Sequence, residues 1–411
     1  MVGEIKPHRK ERKTRFPRDV GANQTLAFGA VVCSGKADGR LPRHFVLSSE
    51  TETEAHNGPT TSGWSPMTRD EGINGVSEGP SHVVILGAGA SIASTLRNPE
   101  PSGKTLPSMV NFIDVVGLRD VIGLGTPDEE PRNFETIYSK LHDQDRTSPA
   151  IAEIERRVAE YFGSLALPST PTIYDYLIVA LRPKDLIATF NWDPFLYQAF
   201  CRNRKMGGVC LSFLHGNVAL GYSREAQKAG PAGAFADLAL TQKFVPTRLL
   251  YPVTHKAYNT DEFIAREWSR LKKWLQKAKR ITIFGYGAPE TDVEAVALMS
   301  AAWGDPNKRN LEQVEMIDVQ SESLLTDRWK RFIHTHHYDY CTDYFQSSLA
   351  QFPRRTGESF IHQYLPITPE EAFQEPNPVP QQFETLHEMW EWHRPLIEAE
   401  AKFEADQAER S

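Results

Sequence analysis

Several things are scarce in this chain, and each scarcity excludes something. No apolar run approaches the roughly 18–20 residues that a membrane-spanning helix needs, so no span is expected. Only four cysteines occur, Cys33, Cys201, Cys210 and Cys341, and no two share the Cys-x-x-Cys spacing of a zinc ribbon. Scattered thiols without a pairing pattern suit a reducing compartment, and a cytoplasmic protein is expected. Basic residues are not in excess. The 46 Lys and Arg stand against 53 Asp and Glu, a formal charge of −7. Duplex nucleic acid is therefore not the default partner, although direct binding stays open. The N-terminus carries charge with no apolar stretch behind it, which argues against a secretory signal. Metal-ligating clusters are scarce too. The densest histidine group, His334, His336 and His337, has no carboxylate or cysteine at a ligand spacing. Alternation over Phe332 to Tyr338 reads as a strand instead, and no metal is expected.

What is present is ordinary globular composition, 40% hydrophobic and 24% charged, in a length for one large domain or two smaller ones with tails. Residues 1–80 are expected to be a disordered N-terminal extension. Its basic arm holds Lys6, Arg9, Lys10, Arg12, Lys13, Arg15 and Arg18. From 50 to 80 there are too few large apolar groups to offset the entropy of ordering. The main folded domain is expected over 81–350. Residues 351–411 read as a proline-marked linker and a C-terminal helical tail.

The apolar run Val83–Leu86 and the segments Asp185–Thr189, Val209–Leu214, Arg280–Phe284 and Val314–Val319 read as strands. Helical spacing predicts helices over 106–118, 134–141, 149–163, 261–277 and 291–303, and over 171–182 with Pro171 in its first turn. Residues 223–245, rich in alanine and glycine, read as an insertion or loop over the site. Gln382 to Trp392 predicts an amphipathic helix docked on the core, and 398–411 a charged helix that frays. Repeated strand–turn–helix units predict an α/β fold. It is a Rossmann-like parallel sheet with helices on both faces, plus helical insertions and disordered tails.

The most informative stretch is 81–91. Four apolar residues run straight into Gly87-Ala88-Gly89-Ala90-Ser91. Such a turn opens a helix and lets backbone N–H groups approach a pyrophosphate. The competing reading is a turn that needs small residues for packing. A full dinucleotide fingerprint would carry a third glycine, and Ile92-Ala93-Ser94 supplies none. Three more strand ends carry small or polar groups: Thr189-Phe190-Asn191-Trp192-Asp193, His215-Gly216 and Gly285-Tyr286-Gly287. Ligands of open parallel sheets bind at the carboxyl ends of the strands, where all four converge.

In this order the four segments resemble the sirtuin-like family, of the silent-information-regulator type, over roughly residues 81–345. The likeness is to its bacterial anti-phage branch, and Phe134-Glu135 and Tyr251-Pro252 with Lys256 add to it. The four-cysteine zinc module of the protein-deacylating members is missing, Phe190 stands where they carry Gln, and their Gly-Ile-Pro-Asp-Phe-Arg segment is absent. The resemblance implies a sirtuin-like fold that takes NAD as a substrate and no metal. It implies hydrolysis to nicotinamide and ADP-ribose, in anti-phage defence by NAD depletion. So toxic an activity implies gating, by a homo-oligomer or by a partner protein such as an ATPase or a nucleic-acid-guided module.

Breaking the nicotinamide–ribose bond passes through an oxocarbenium-like state. It needs a polar group near the ribose, an oriented water and a dry pocket. Asn191 can hold a ribose hydroxyl and that water, because its amide donates and accepts. Asp193 can bind the carboxamide or steady positive charge; alternatively it caps the helix that Pro194 opens. His215 can act on the ribose hydroxyls as a general base. Gly87, Ala88, Gly89, Ala90, Ser91, Thr189, Gly285, Tyr286 and Gly287 are expected around the phosphates and adenosine, with Ser91 donating to a phosphate or to its own backbone. Asp318 can accept from the adenine-side ribose, and Asp292 is expected to cap a helix. Two other functions fit these residues: an NAD-dependent protein deacylase or ADP-ribosyltransferase, and a non-catalytic nucleotide-binding scaffold.

Overall fold

The computed structural model describes residues 69–124, 133–236, 241–253, 256, 258–289, 292–309, 312–335, 337–364 and 379–410. The basic arm, most of the expected N-terminal extension and the prolines from 366 to 378 lie outside the described residues.

The strands are β1 (His82–Leu86), β2 (Leu186–Thr189), β3 (Cys210–Phe213), β4 (Leu220–Ser223), β5 (Lys228–Pro231), β6 (Val245–Pro246), β7 (Arg280–Phe284), β8 (Gln313–Ile317) and β9 (Tyr338–Cys341). Six of them form one parallel sheet in the order β3-β2-β1-β7-β8-β9. Counted within the sheet, that is the 3-2-1-4-5-6 order of a Rossmann-like fold. Val84 sits between Ile187 on one side and Thr282 on the other, which fixes the central register. Every residue of β1, β2, β7 and β8 is buried. Burial on both faces is why Val83–Leu86 of β1 reads as a continuous apolar run, whereas β7 and β8 also bury the polar Arg280, Thr282, Gln313 and Glu315.

The helices are α1 (Arg69–Asn74), α2 (Ala88–Ser94), α3 (Phe112–Val116), α4 (Phe134–Asp145), α5 (Pro149–Gly163), α6 (Ile173–Ala180) and α7 (Phe195–Arg202), then α8 (Glu262–Leu275), α9 (Val293–Trp303), α10 (Glu322–Trp329), α11 (Ser348–Gln351), α12 (Thr356–Tyr364) and α13 (Leu386–Arg410). Their starts follow local chemistry. The Asn133 side chain accepts from Glu135 N–H, Ser148 from Ile151, and Asp261 from Ile264. Thr172 and Asp175 form a reciprocal capping box. The stripe Phe263, Ile264, Trp268, Leu271 and Leu275 buries one face of α8.

Several expectations need correction. Only Phe112–Val116 of the stretch 106–118 is helical. Pro171 precedes the Thr172 cap instead of lying in the first turn of α6. Within 223–245, Ser223, Lys228–Pro231 and Val245 join a small antiparallel sheet of β5, β4 and β6, while the other described residues are turn and loop as expected. Its glycines are there for packing: a β-carbon on Gly230 would come within 2.3 Å of the Phe244 ring. The strand expected over 332–338 instead starts at Tyr338. The tail is one continuous helix from Leu386 to Arg410, with Pro395 inside it.

That last helix docks on the core as expected, burying Met389 and Leu396, and Glu400 ties it down. The Glu400 carboxylate pairs with Arg354 and, at 2.6 Å, with Arg355. Arg355 also donates to the carbonyl of Gly72 in α1 (2.7 Å), and Arg182 pairs with Glu358 nearby (2.6 Å). Burial raises the Glu400 carboxyl, but the two guanidiniums more than offset this and hold it below the usual range. Glu400→Gln leaves two buried cations short of their counter-charge. It is expected to cost about 3–5 kcal/mol in urea unfolding, whereas a change within error would show that the cluster adds nothing.

Candidate active site

The chain leaves β1 towards β2 and leaves β7 towards β8, in opposite directions across the sheet, so a crevice lies at the carboxyl ends of these two paired strands. A cleft of about 330 Å³ lies there. Gly87, Ala88 and Ser91 after β1 line it, with Asn191 and Asp193 after β2, His215 after β3 and Gly285, Tyr286 and Gly287 after β7. All four strand ends that sequence singled out thus meet in one cavity.

The glycines answer first to a close approach of backbone to backbone. A β-carbon on Gly87 would lie 2.5 Å from the carbonyl oxygen of Gly285. One on Gly285, whose φ is +61°, would lie 2.2 Å from Ala90 N. Gly87 N–H donates to Phe284 O (3.0 Å) and Gly89 N–H to Gly285 O (2.9 Å). These two donors are therefore spent within the protein. Gly89 and Ala90 do not line the cleft.

A buried polar cluster stands behind the turn. The Asn191 amide nitrogen donates to Gly87 O (2.7 Å), Ser91 Oγ (2.8 Å) and Tyr174 OH (3.2 Å). Its Oδ1 accepts no hydrogen bond among the described residues, so the cleft-lining Asn191 offers an acceptor only. Ser91 Oγ donates to Asp193 Oδ2 (2.6 Å), while Asp193 Oδ1 accepts from Phe195 N–H (3.1 Å). Asp193 thus holds the start of α7 and the serine together. Burial pushes its carboxyl up to about 6 against those two hydrogen bonds. Thr189 is wholly buried outside the cleft lining, and its hydroxyl accepts from Asn191 N–H (3.0 Å). Asn217, which sequence did not single out, braces the turn by donating to Asp193 O (2.6 Å).

Across the cleft His215 sits edge-on to Phe190, whose ring stacks on Tyr286 with centroids 4.2 Å apart. Burial drives the imidazole down to about 3; Asp292 opposes this and Lys256 adds to it. His215 is therefore neutral near pH 7. Its Nε2 is 3.5 Å from Tyr258 OH and 3.9 Å from Asp292 Oδ1. Asp292 does not cap α9 with its side chain. Instead its carboxylate pairs with the Lys256 ammonium and accepts from Tyr286 OH (2.8 Å). Burial alone would raise that carboxyl, but His215 once protonated, the Lys256 ammonium and the Tyr286 hydroxyl hold it below its usual range.

Asp318 falls outside the cleft; its Oδ1 accepts from Gln320 N–H (2.9 Å). Arg328 of α10 lines the cleft at that side, donating to Gly287 O (2.8 Å). Neither Arg328 nor the Asp292 pairing had a local sequence signal. Among the described residues no group of three or more His, Cys, Asp or Glu is placed to hold a metal. No helix among them is long and apolar enough to cross a membrane.

No protein-family model matches the chain, and no curated protein matches it in sequence. Solved structures similar to it include a Sir2 homologue–NAD complex, 11% identical with a TM-score of 0.37, covering 74% of this chain and 98% of that one. A mutant Sir2 homologue with ADP-ribose is also 11% identical, with a TM-score of 0.36 and coverage of 72% and 97%. A structure on the mechanism and regulation of Sir2 enzymes is 13% identical, with a TM-score of 0.34 and coverage of 69% and 90%. At such scores the likeness lends no weight to a shared activity.

The buried histidine gives a pH signature. Unfolded, His215 takes a proton below pH ~6.5, and folded only near 3, so its burial loses stability as pH falls through that window. Asp193 acts in the opposite sense: its raised carboxyl costs stability as pH rises from about 4 to about 6. Comparing His215→Gln with the parent isolates the first effect. The stability of the variant relative to the parent is expected to rise by up to about 1.4 kcal/mol per pH unit between pH 6 and 4. A difference independent of pH would mean that the imidazole is solvated.

Proposed function

We propose that the chain is an NAD glycohydrolase that cleaves the nicotinamide–ribose bond to give nicotinamide and ADP-ribose. The observation that carries this reading is one cleft holding a neutral His215 and an unoccupied Asn191 Oδ1 beside the glycine turns of β1 and β7. The C1′–N bond breaks with its electron pair leaving on nicotinamide, water adds at C1′, and one proton is released. A neutral imidazole can accept a proton from a ribose hydroxyl or from that water. Asn191 Oδ1 can orient the same hydroxyl, and the apolar walls of Leu106, Met109, Phe112 and Phe162 keep the cleft dry. Arg328 at the other side suits the diphosphate.

By the residue resemblance, the reaction serves anti-phage defence by depleting NAD in the cytoplasm. A homo-oligomer or a gating partner, such as an ATPase or a nucleic-acid-guided module, holds it off until it is triggered. No metal enters the scheme.

Nicotinamide release from NAD by the purified chain tests this, run alone and with an acetyl-lysine peptide. His215→Ala and Asn191→Ala are each expected to lower turnover by about 100-fold or more. Turnover unchanged in both variants would overturn the site assignment. Turnover that requires the peptide would favour a deacylase. Tight NAD binding without release under any condition would favour a scaffold.

A further inference from the structure

The segment after β6 is a wall between two cavities. On its far side lies a second cavity of about 660 Å³, between α4, α5, residues 248–253 and Lys256. Leu250 and Lys256 line both cavities. We infer that the second cavity is a binding site for a nucleotide phosphate, whose occupancy is transmitted to His215.

The lining selects the ligand by charge. Arg146, Arg248 and Lys256 face Glu155 as the one carboxylate. That carboxylate is already engaged, accepting from Tyr138 OH at 2.7 Å. Neither Arg146 nor Arg248 is paired with a carboxylate among the described residues. Two open guanidiniums are a fit for phosphate oxygens, which they can meet in paired hydrogen bonds. The lining also selects a flat ring. Tyr251, Tyr138 and His142 form a continuous stack, with centroids 4.9 and 6.2 Å apart and planes tilted by 20° and 27°. The stack ends on His142, which is half-buried in the same cavity. Aromatic rings beside cations recognise a base joined to a phosphate. The volume lies in the range of small-molecule sites.

The shared wall connects this site to the cleft. Leu250 N–H donates to His215 O at 2.9 Å. A β-carbon on Gly216 would come within 2.1 Å of Arg248 O, so the wall lies directly on the turn that carries His215. Lys256 is held by Asp292, whose carboxylate is 3.9 Å from His215 Nε2. A phosphate that draws Lys256 towards it leaves Asp292 to the histidine, which strengthens His215 as a base. Binding at the second cavity is independent of the NAD reading; its effect on turnover rests on that reading.

The test is calorimetric titration of the full chain with ADP, with inorganic phosphate as a parallel probe. Arg146→Glu/Arg248→Glu, at two exposed positions, is expected to weaken one class of ADP sites at least tenfold. It should leave basal NAD turnover and the melting temperature unchanged, and Arg248→Lys should weaken binding less. In the parent, saturating ADP should raise NAD turnover at least threefold at NAD concentrations where it does not compete for the cleft. ADP binding indifferent to both arginines would overturn the site, and phosphate binding as tightly as ADP would overturn the nucleotide class. Arginine-dependent ADP binding in a chain that never cleaves NAD would leave this site standing and remove the glycohydrolase.

Discussion

Backbone meets backbone where the turn after β1 crosses the turn after β7, with no room between them for a β-carbon. Two cross-turn hydrogen bonds hold that contact, from Gly87 and Gly89 to Phe284 and Gly285. The contact sets where Gly87 O points, and that carbonyl anchors the Asn191 amide. Asn191 in turn bonds Ser91, which orients Asp193. On the other side the same turn delivers Tyr286 to stack on Phe190 and donate to Asp292. Both walls of the cleft are therefore referenced to one point of closest approach. A side chain added there would displace both together, since tightly packed backbone has no rotamer with which to yield.

The electrostatics of the cleft are those of a dry place. A histidine kept neutral and a carboxylic acid held near 6 both reflect missing water. The Lys256–Asp292 pair is the exception, being charged and buried together. Such pairs gain little stability over apolar side chains of the same size. Its place beside His215 is therefore not accounted for by stability alone.

The central sheet was legible because a strand buried on both faces can be apolar throughout, as Val83–Leu86 is, and because Arg280–Phe284 keeps three large apolar residues about Thr282. The converging strand ends were legible because the parallel topology leaves them no other meeting place. Misreadings arose where residues are apolar or small for another reason. Leu106 and Met109 line the cleft, so their spacing mimics a helical face without making one. Gly221 and Gly230 make room for Phe244, so a packed small sheet resembled a loop. The charge pattern of 398–411 suggested a solvated end, yet Glu400 is 4% exposed because its partners lie 45 and 46 residues earlier. Asp292 stands where a cap would stand, and no local rule says which way its carboxylate turns. Separations of that kind cannot be read from spacing, since the fold alone brings the partners together.

The cluster around Glu400 has a mechanical meaning as well. Arg355 joins α1 and α13, so the segments flanking the core are riveted at one spot. That spot adjoins the start of β1, where His82 meets Thr356 at the head of α12, while the cleft opens at the other end of the same strand. Five residues of extended chain separate them, about 16 Å. Tension applied through either flanking segment is taken up in shear by two guanidiniums and one carboxylate.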